Sequence, residues 1–203
     1  MGPIAATLLC YFGPEKVYAA LTRLHDAYAM HTVFSPGFPG LLEAIYVQER
    51  IMQLKMPDVY AALKRHMIST TSYATKWYIT LFANSVPFQT QLRIWDAFLI
   101  DGQDVFVAVA VAIVWVYRGN VSSLVTIRGL TPSSRADNIT SSSANFETVL
   151  SLLSSFFVPE DDDALLSWIE QFLGDKKLRA RIHSWRRDWH QLAASGNEGS
   201  ALL

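Results

Sequence analysis

Cysteine is nearly absent from this chain of 203 residues, which argues against the protein classes that disulfides stabilise. The one cysteine, Cys10, excludes an internal disulfide and is typical of a reducing compartment. It lies in an uncharged apolar segment, where a thiol stays protonated and unreactive. We therefore expect a cytoplasmic chain whose fold depends on packing and not on covalent cross-links.

Charge is also scarce in this sequence. Only 17% of the residues are charged and 51% are hydrophobic, whereas a typical soluble domain has about 25% charged residues. Two interpretations follow: a membrane protein, or a domain that lacks part of its covering layer. The longest apolar run, Val105–Tyr117, has 13 residues, but a membrane-spanning helix needs about 20. We predict a buried core helix here and no transmembrane segment.

The net charge of −1 predicts no general affinity for nucleic acid or anionic lipid. The most basic segment belongs to a predicted helix near the C-terminus, in which Trp185 and Trp189 continue an apolar seam and turn inward. Its cations are interpreted as a solvated face, with a partner-binding face as the open alternative. These cations are Lys176, Lys177, Arg179, Arg186 and Arg187.

Motifs for catalysis or metal binding are missing. The chain has no Ser-His-Asp set, glycine-rich phosphate loop or HExxH sequence. The acidic run 160–163 lacks the spaced ligands and central glycine of a calcium loop, so it is interpreted as helix capping. His183 and His190 share a helix face, but zinc requires further ligands. We predict no metal, no cofactor and no self-sufficient active site.

Apolar residues recur at helical spacing along most of the chain, which predicts an all-α fold. The helix predicted over Leu41–Lys55 has an inward face of Leu41, Ile45 and Met52 and an outward face of Glu43, Glu49 and Arg50. The next predicted helix, which begins at Pro57, buries Val59, Leu63 and Met67. An uncharged helix over Met1–Cys10 requires cover on several sides. We expect an exposed apolar patch where that cover is lacking.

The stretch from Tyr73 to Gly102 predicts two short helices that meet at a corner formed by Pro87. The first helix carries an apolar stripe of Tyr73, Trp77, Leu81 and Phe82. The second carries a stripe of Phe88, Leu92, Trp95 and Leu99. Arg93 and Asp96 flank that second stripe one turn apart and are predicted to pair with each other. Gly102 is expected to end the second helix.

This corner resembles the C-terminal half of the TBC domain, the family of Rab GTPase-activating proteins. The resemblance rests on the order W-x-x-x-L-F, proline, L-R-I-W-D and glycine. In this chain those positions are Trp77, Leu81, Phe82, Pro87, Leu92, Arg93, Trp95, Asp96 and Gly102. The resemblance implies a multi-helix TBC-like fold, a Rab-type GTPase as partner and a role in vesicle trafficking. A cytoplasmic location follows, with peripheral attachment to endomembranes as an alternative.

The resemblance and the composition together divide the chain into four parts. Residues 1–121 are predicted to be the C-terminal part of a TBC domain, and residues 122–144 a Ser/Thr-rich insertion. Residues 145–193 are predicted to form the terminal helices of the same domain, and residues 194–203 a disordered tail. The resemblance covers the first part well and the third part loosely.

Two sequence motifs that the resemblance associates with GTPase activation are missing from this chain. By the resemblance, TBC domains insert two side chains into the Rab: an Arg from I-x-x-D-x-x-R and a Gln from Y-x-Q-G. Neither motif occurs in this chain, and the look-alike at residues 46–49 lacks the glycine. We therefore expect an N-terminally truncated TBC domain, a GTPase activator by family and not an enzyme, which is inactive alone.

Two alternatives remain open. One is a non-catalytic helical adaptor that binds a Rab or another protein. The other concerns Arg93 and Asp96, which either orient the corner as an ion pair or contact a partner GTPase.

Overall fold

The computed structural model describes residues 1–118, 139, 146–197, 199 and 201–202. The described part is helical and contains no β-strand, as predicted. Its helices are α1 (Gly2–Leu9), α2 (Pro14–Ala27), α3 (His31–Phe34), α4 (Pro39–Lys55), α5 (Pro57–Arg65), α6 (Thr70–Thr80), α7 (Phe88–Asp101), α8 (Asp104–Val116), α9 (Phe146–Ser154), α10 (Asp162–Gly174) and α11 (Lys176–Ala194).

Helix α8 lies at the centre of the fold. Nearly all of its side chains are buried, because α4, α7 and α10 pack around it. The prediction of a buried core helix over Val105–Tyr117 is therefore confirmed. Among the described residues, no helix combines the length and the apolarity that crossing a membrane would require.

The predicted corner between α6 and α7 forms, but the first helix ends before Leu81 and Phe82, which were predicted to lie within it. Helix α6 ends at Thr80, the backbone turns through the left-handed region at Leu81 and Phe82, and Pro87 caps α7. The indole N–H of Trp95 donates to the Leu81 carbonyl at 2.8 Å and joins the two sides of the corner. Gly102, with a φ of 82°, ends α7 as expected.

The predicted stripe of α7 is partly wrong. Trp95 is buried, but Leu92 is only half-buried and Phe88 and Leu99 are exposed. The face that packs inward consists instead of Thr90, Gln91, Ile94, Trp95 and Phe98. The orientation follows from two contacts: the hydrogen bond of Trp95, and the ring of Phe98, whose centroid lies 4.6 Å from that of Phe106 in α8.

Helix α4 differs from its prediction on the side expected to face solvent. Leu41, Ile45 and Met52 are buried as predicted, but Glu49 is 0% exposed. Glu43 and Arg50 are also partly covered. The reason is that α3, α5, α6, α8 and α11 all pack against α4 and leave it no fully open face.

Met67 was expected to be buried beside Val59 and Leu63, and this prediction is wrong. Helix α5 ends at Arg65, and Met67 takes a left-handed backbone conformation with a φ of 54°. The helical periodicity therefore stops before Met67, whose side chain is 86% exposed.

Helices α9, α10 and α11 form at the predicted positions. Asp161 caps α10 and Asp175 caps α11, which confirms the capping role of the acidic run. The backbone N–H groups of Leu178 and Lys177 lower the pKa of Asp175, because they donate to its carboxylate. The insertion predicted over 122–144 lies outside the described residues except for Ile139, which is buried and donates its N–H to the Tyr117 carbonyl.

The first helix is covered on one side only. Ile4 and Thr7 are buried, whereas Leu9, Tyr11 and Phe12 are exposed. The ring of Tyr11 stacks parallel to that of Phe88 at 6.4 Å, and Phe88 is itself exposed. These side chains form an apolar surface at the junction of α1 and α7.

Candidate partner-binding surface on helix α7

The predicted pair between Arg93 and Asp96 does not form. The guanidinium of Arg93 instead donates to the carboxylate of Asp163, 70 residues further along the chain. The pKa of Arg93 is raised by this hydrogen bond. Beside it, the hydroxyl of Thr90 donates to Asp162 at 2.7 Å. Both contacts tie α7 to the acidic start of α10.

Asp96 is left without this partner. It is exposed, and the described part of the chain provides it with neither a hydrogen bond nor an ion pair. The spacing of one turn would have permitted the pair. Arg93 pairs with Asp163 because the start of α10 brings several carboxylates, at Asp161, Asp162 and Asp163, close to the guanidinium.

An open groove of about 480 Å³ lies between α7 and α10, and we call it the α7–α10 groove. Its lining consists of Arg93, Asp96, Ala97, Ile100, Asp101, Leu166, Ile169 and Glu170. The floor is apolar, and the rim carries three carboxylates and the guanidinium of Arg93. Ile100 stands at the rim with 83% of its surface exposed.

The chemistry of the α7–α10 groove suits recognition of another protein. Three rim carboxylates, those of Asp96, Asp101 and Glu170, have no ion partner among the described residues. Such charges steer association with a cationic surface. An exposed apolar side chain beside them, here Ile100, can act as the anchor that a partner desolvates.

The other residues of the predicted motif lie behind this surface. Trp77, Leu81 and Phe82 are buried, and the ring of Phe82 lies between those of Trp77 and Phe106. Because they pack around the corner, they hold α7 in place. They are not part of the lining of the α7–α10 groove.

The look-alike of the glutamine motif lies in the core. Gln48 is 0% exposed, and its side-chain oxygen accepts a hydrogen bond from the Tyr78 hydroxyl at 2.9 Å. Burial raises the pKa of both Tyr73 and Tyr78, so these hydroxyls stay protonated. Tyr46, the first residue of the look-alike, packs against Trp189 with the two rings tilted and their centroids 5.2 Å apart.

One ionic cluster was missed by sequence reasoning. Arg186, expected in the solvated face of α11, is partly buried and bonds to Glu43 at 3.0 Å and to Asp104. His190 lies 3.4 Å from the same Glu43 carboxylate. The cluster joins α11 to α4 and α8, and no pattern in the local sequence indicates these distant partners. In the described residues, no group of three metal-ligating side chains occurs.

The described residues form an all-α domain with an open groove between α7 and α10 and without a group of three metal-ligating side chains. Comparison with known protein families identifies the family of this domain. The model of the Rab-GTPase-TBC domain matches residues 1–121. The chain belongs to this family, which is that of the Rab GTPase-activating proteins.

Individual relatives agree with this assignment. The TBC domain-containing protein C1778.09 of Schizosaccharomyces pombe is 32% identical over 176 residues, which are 85% of this chain and 38% of the relative. The GTPase-activating protein GYP5 of Saccharomyces cerevisiae is 38% identical over 112 residues, 55% of this chain and 12% of the relative. Mouse Carabin is 31% identical over 134 residues, 64% and 29% respectively. The chain thus spans well under half the length of these relatives.

Proposed function

We propose that the polypeptide of residues 1–203 recognises a Rab-type GTPase but does not accelerate GTP hydrolysis by itself. Membership of the Rab-GTPase-TBC family supports the partner class. Relatives named as GTPase-activating proteins, in Saccharomyces cerevisiae and Caenorhabditis elegans, support it further. A role in vesicle trafficking, with attachment to endomembranes, follows from a Rab partner.

The single observation that carries the proposal is the missing pair of motifs. I-x-x-D-x-x-R and Y-x-Q-G occur nowhere in the 203 residues. Gln48, the glutamine of the look-alike, is buried and bonded to Tyr78, so its side chain is not available to orient a water on a bound GTPase. An inserted arginine contributes about 10³–10⁵ to the rate of hydrolysis. Without both groups, we expect hydrolysis at the intrinsic rate of the Rab.

The test is a single-turnover assay of GTP hydrolysis on a panel of GTP-loaded Rabs. The purified chain of 203 residues is added in increasing excess, and a TBC domain that contains both motifs serves as the positive control. We expect the observed rate to stay at the intrinsic value for every Rab. A rate increase of tenfold or more, saturating with the chain, would refute the proposal.

A second candidate function, a non-catalytic adaptor, is favoured by the α7–α10 groove. Its exposed Ile100 and the unpaired carboxylates of Asp96 and Asp101 offer a surface for a partner with an apolar and cationic face. This function needs binding only. The adaptor function is distinguished from recognition of a Rab by one measurement, which is whether binding depends on the nucleotide state of a Rab.

The groove is tested by measuring binding to Rabs that carry a non-hydrolysable GTP analogue or GDP. Ile100→Gln should weaken binding about tenfold, because it removes an apolar anchor from the interface. Tyr18→Gln is the matched control, since Tyr18 is also a helical residue and is 75% exposed on α2. Equal binding by both variants would exclude the α7–α10 groove as the contact.

A further inference from the structure

The turn between α5 and α6 carries an unusual combination of side chains. We call it the α5–α6 tip and define it as Lys64, Arg65, His66 and Met67. Met67 has the largest exposed fraction of the described large hydrophobic residues, 86%. Lys64 and Arg65 beside it are exposed as well. An apolar side chain thus projects from the molecule beside two cations, Lys64 and Arg65.

The backbone fixes the direction of that projection. The N–H of Met67 bonds to the Lys64 carbonyl at 3.1 Å, and the N–H of Ile68 bonds to the Leu63 carbonyl at 2.9 Å. Leu63 and Ile68 are buried, 0% and 1% exposed, so they anchor both sides of the turn. Met67 lies between these anchors in the left-handed conformation, which is costly for a residue with a side chain. The tip is therefore a defined projection.

The adjoining surface adds one more cation, Arg50, and no acidic side chain. An open groove of about 800 Å³ begins at the tip, and we call it the basic groove. It is lined by Tyr46, Arg50, Gln53, Tyr60, Lys64, Met67, Ile68, Ser69, Leu192, Ala201 and Leu202, and none of these is acidic. On α5, the acidic residue is Asp58, which lies in the first turn, at the end away from the tip.

Arg50 contributes a hydrogen-bond donor to the basic groove that has no acceptor in the described structure. Its guanidinium lies 5.0 Å from the centre of the Tyr46 ring. Its Nε atom is buried, and no hydrogen bond to it forms within the described structure. Arg50 thus adds an under-satisfied cation to the wall between Tyr46 and Lys64.

We propose that the α5–α6 tip and the basic groove dock this domain onto an anionic membrane surface. In this arrangement Met67 enters the boundary between headgroups and acyl chains. Lys64 and Arg65 then meet lipid phosphates and carboxylates, and Arg50 lies in the wall of the adjoining groove. Tyrosine side chains such as Tyr60 are well suited to the headgroup level, because the ring is apolar and the hydroxyl is polar.

A membrane fits this surface better than a protein partner does. The core of a protein interface is depleted in charge and needs several apolar residues side by side. Here one apolar side chain, Met67, stands among cations, and this combination is typical of contacts with anionic lipid. The net charge of −1 leaves the whole chain without general affinity for such lipid. Binding is therefore confined to one orientation, with the α5–α6 tip towards the membrane.

The size of the effect follows from the number of charges. Each Lys or Arg close to an anionic membrane strengthens binding about fivefold at physiological salt. Because surface charges are screened within a Debye length of about 8 Å at that salt, binding should weaken steeply as salt is raised.

The experiment is flotation of the complete chain with vesicles in a density gradient, which separates bound protein from aggregates. Vesicles of phosphatidylcholine with phosphatidylserine are compared with vesicles of phosphatidylcholine alone. We expect flotation only with the anionic vesicles. Lys64→Glu combined with Arg65→Glu should lower the bound-to-free ratio by more than about 20-fold. Met67→Asn, which suits the left-handed backbone, should lower it about fivefold.

The control reverses two exposed cations elsewhere, Lys176→Glu with Lys177→Glu at the start of α11. This variant has the same net charge as the tip double variant and should still float. Equal loss in both double variants would overturn the proposal, because binding would then depend on total charge. Capture of the chain by polyglutamate without flotation on anionic vesicles would also overturn it, in favour of an acidic protein partner. Since no Rab is present, the outcome is independent of the proposed GTPase contact.

Discussion

The two ends of helix α6 contain the same backbone conformation with opposite surroundings. At its C-terminal end, Leu81 and Phe82 have φ angles of 51° and 63° and are 1% and 0% exposed. Ahead of its N-terminal end, Met67 has a φ of 54° and is 86% exposed. The left-handed conformation costs about 1–2 kcal/mol for a residue with a side chain.

The difference shows what compensates this cost in each place. At the corner, burial of two large apolar side chains and the hydrogen bond from Trp95 to Leu81 stabilise the turn. At the α5–α6 tip, backbone hydrogen bonds hold the turn, and the side chain of Met67 contributes little packing of its own. The corner is therefore structural, and the tip is available for contact.

The largest change in stability is expected at the corner between α6 and α7. Trp95→Phe keeps the aromatic ring but removes the N–H that donates to the Leu81 carbonyl at 2.8 Å. A buried carbonyl left without its partner destabilises a protein by about 1–3 kcal/mol. We expect a loss of that size in the free energy of unfolding, measured by urea denaturation of the chain.

The control for this variant is Trp168→Phe in α10. Trp168 is half-buried and stacks on Phe172, and its N–H makes no hydrogen bond within the described structure. The change of ring is the same, so this variant shows what the smaller ring costs at a half-buried site where no indole hydrogen bond is lost. Equal losses would contradict a special role for the link between Trp95 and Leu81.

A smaller effect of opposite sign is expected at the tip. Met67→Asn places a residue that tolerates the left-handed region at a φ of 54° and gives up almost no packing. We expect the free energy of unfolding to rise by about 0.5–1 kcal/mol. Met67→Ala loses the same side chain without relieving the backbone, and it should be neutral in the same urea experiment. A destabilising Met67→Asn would mean that Met67 contributes to packing.

Local pattern was enough to predict the parts of the fold that depend on neighbouring residues. The apolar run of α8 by itself predicts a buried helix, and Pro87 by itself predicts the start of α7. The structure has both features. The burial of Trp77 follows in the same way from its spacing relative to Tyr73. In each case the residues that decide the structure lie within one or two helical turns of each other.

The polar partners could not be predicted in this way. Arg93 was expected to pair with Asp96 one turn away, but it pairs with Asp163, 70 residues distant. Arg186 reaches Asp104 across 82 residues. Such pairs depend on which helices pack together, and helical periodicity does not contain that information. The α7–α10 groove was missed for the same reason, since its two sides come from distant parts of the chain.

The central claim is that this chain recognises a Rab-type GTPase without supplying the groups that hydrolyse its nucleotide. It is tested most directly by following binding and GTP hydrolysis in one sample, with GTP-loaded Rab at concentrations that saturate the complex. The account predicts a measurable complex in which GTP disappears at the intrinsic rate of the Rab alone. Faster hydrolysis that rises in proportion to the fraction of Rab bound would contradict it.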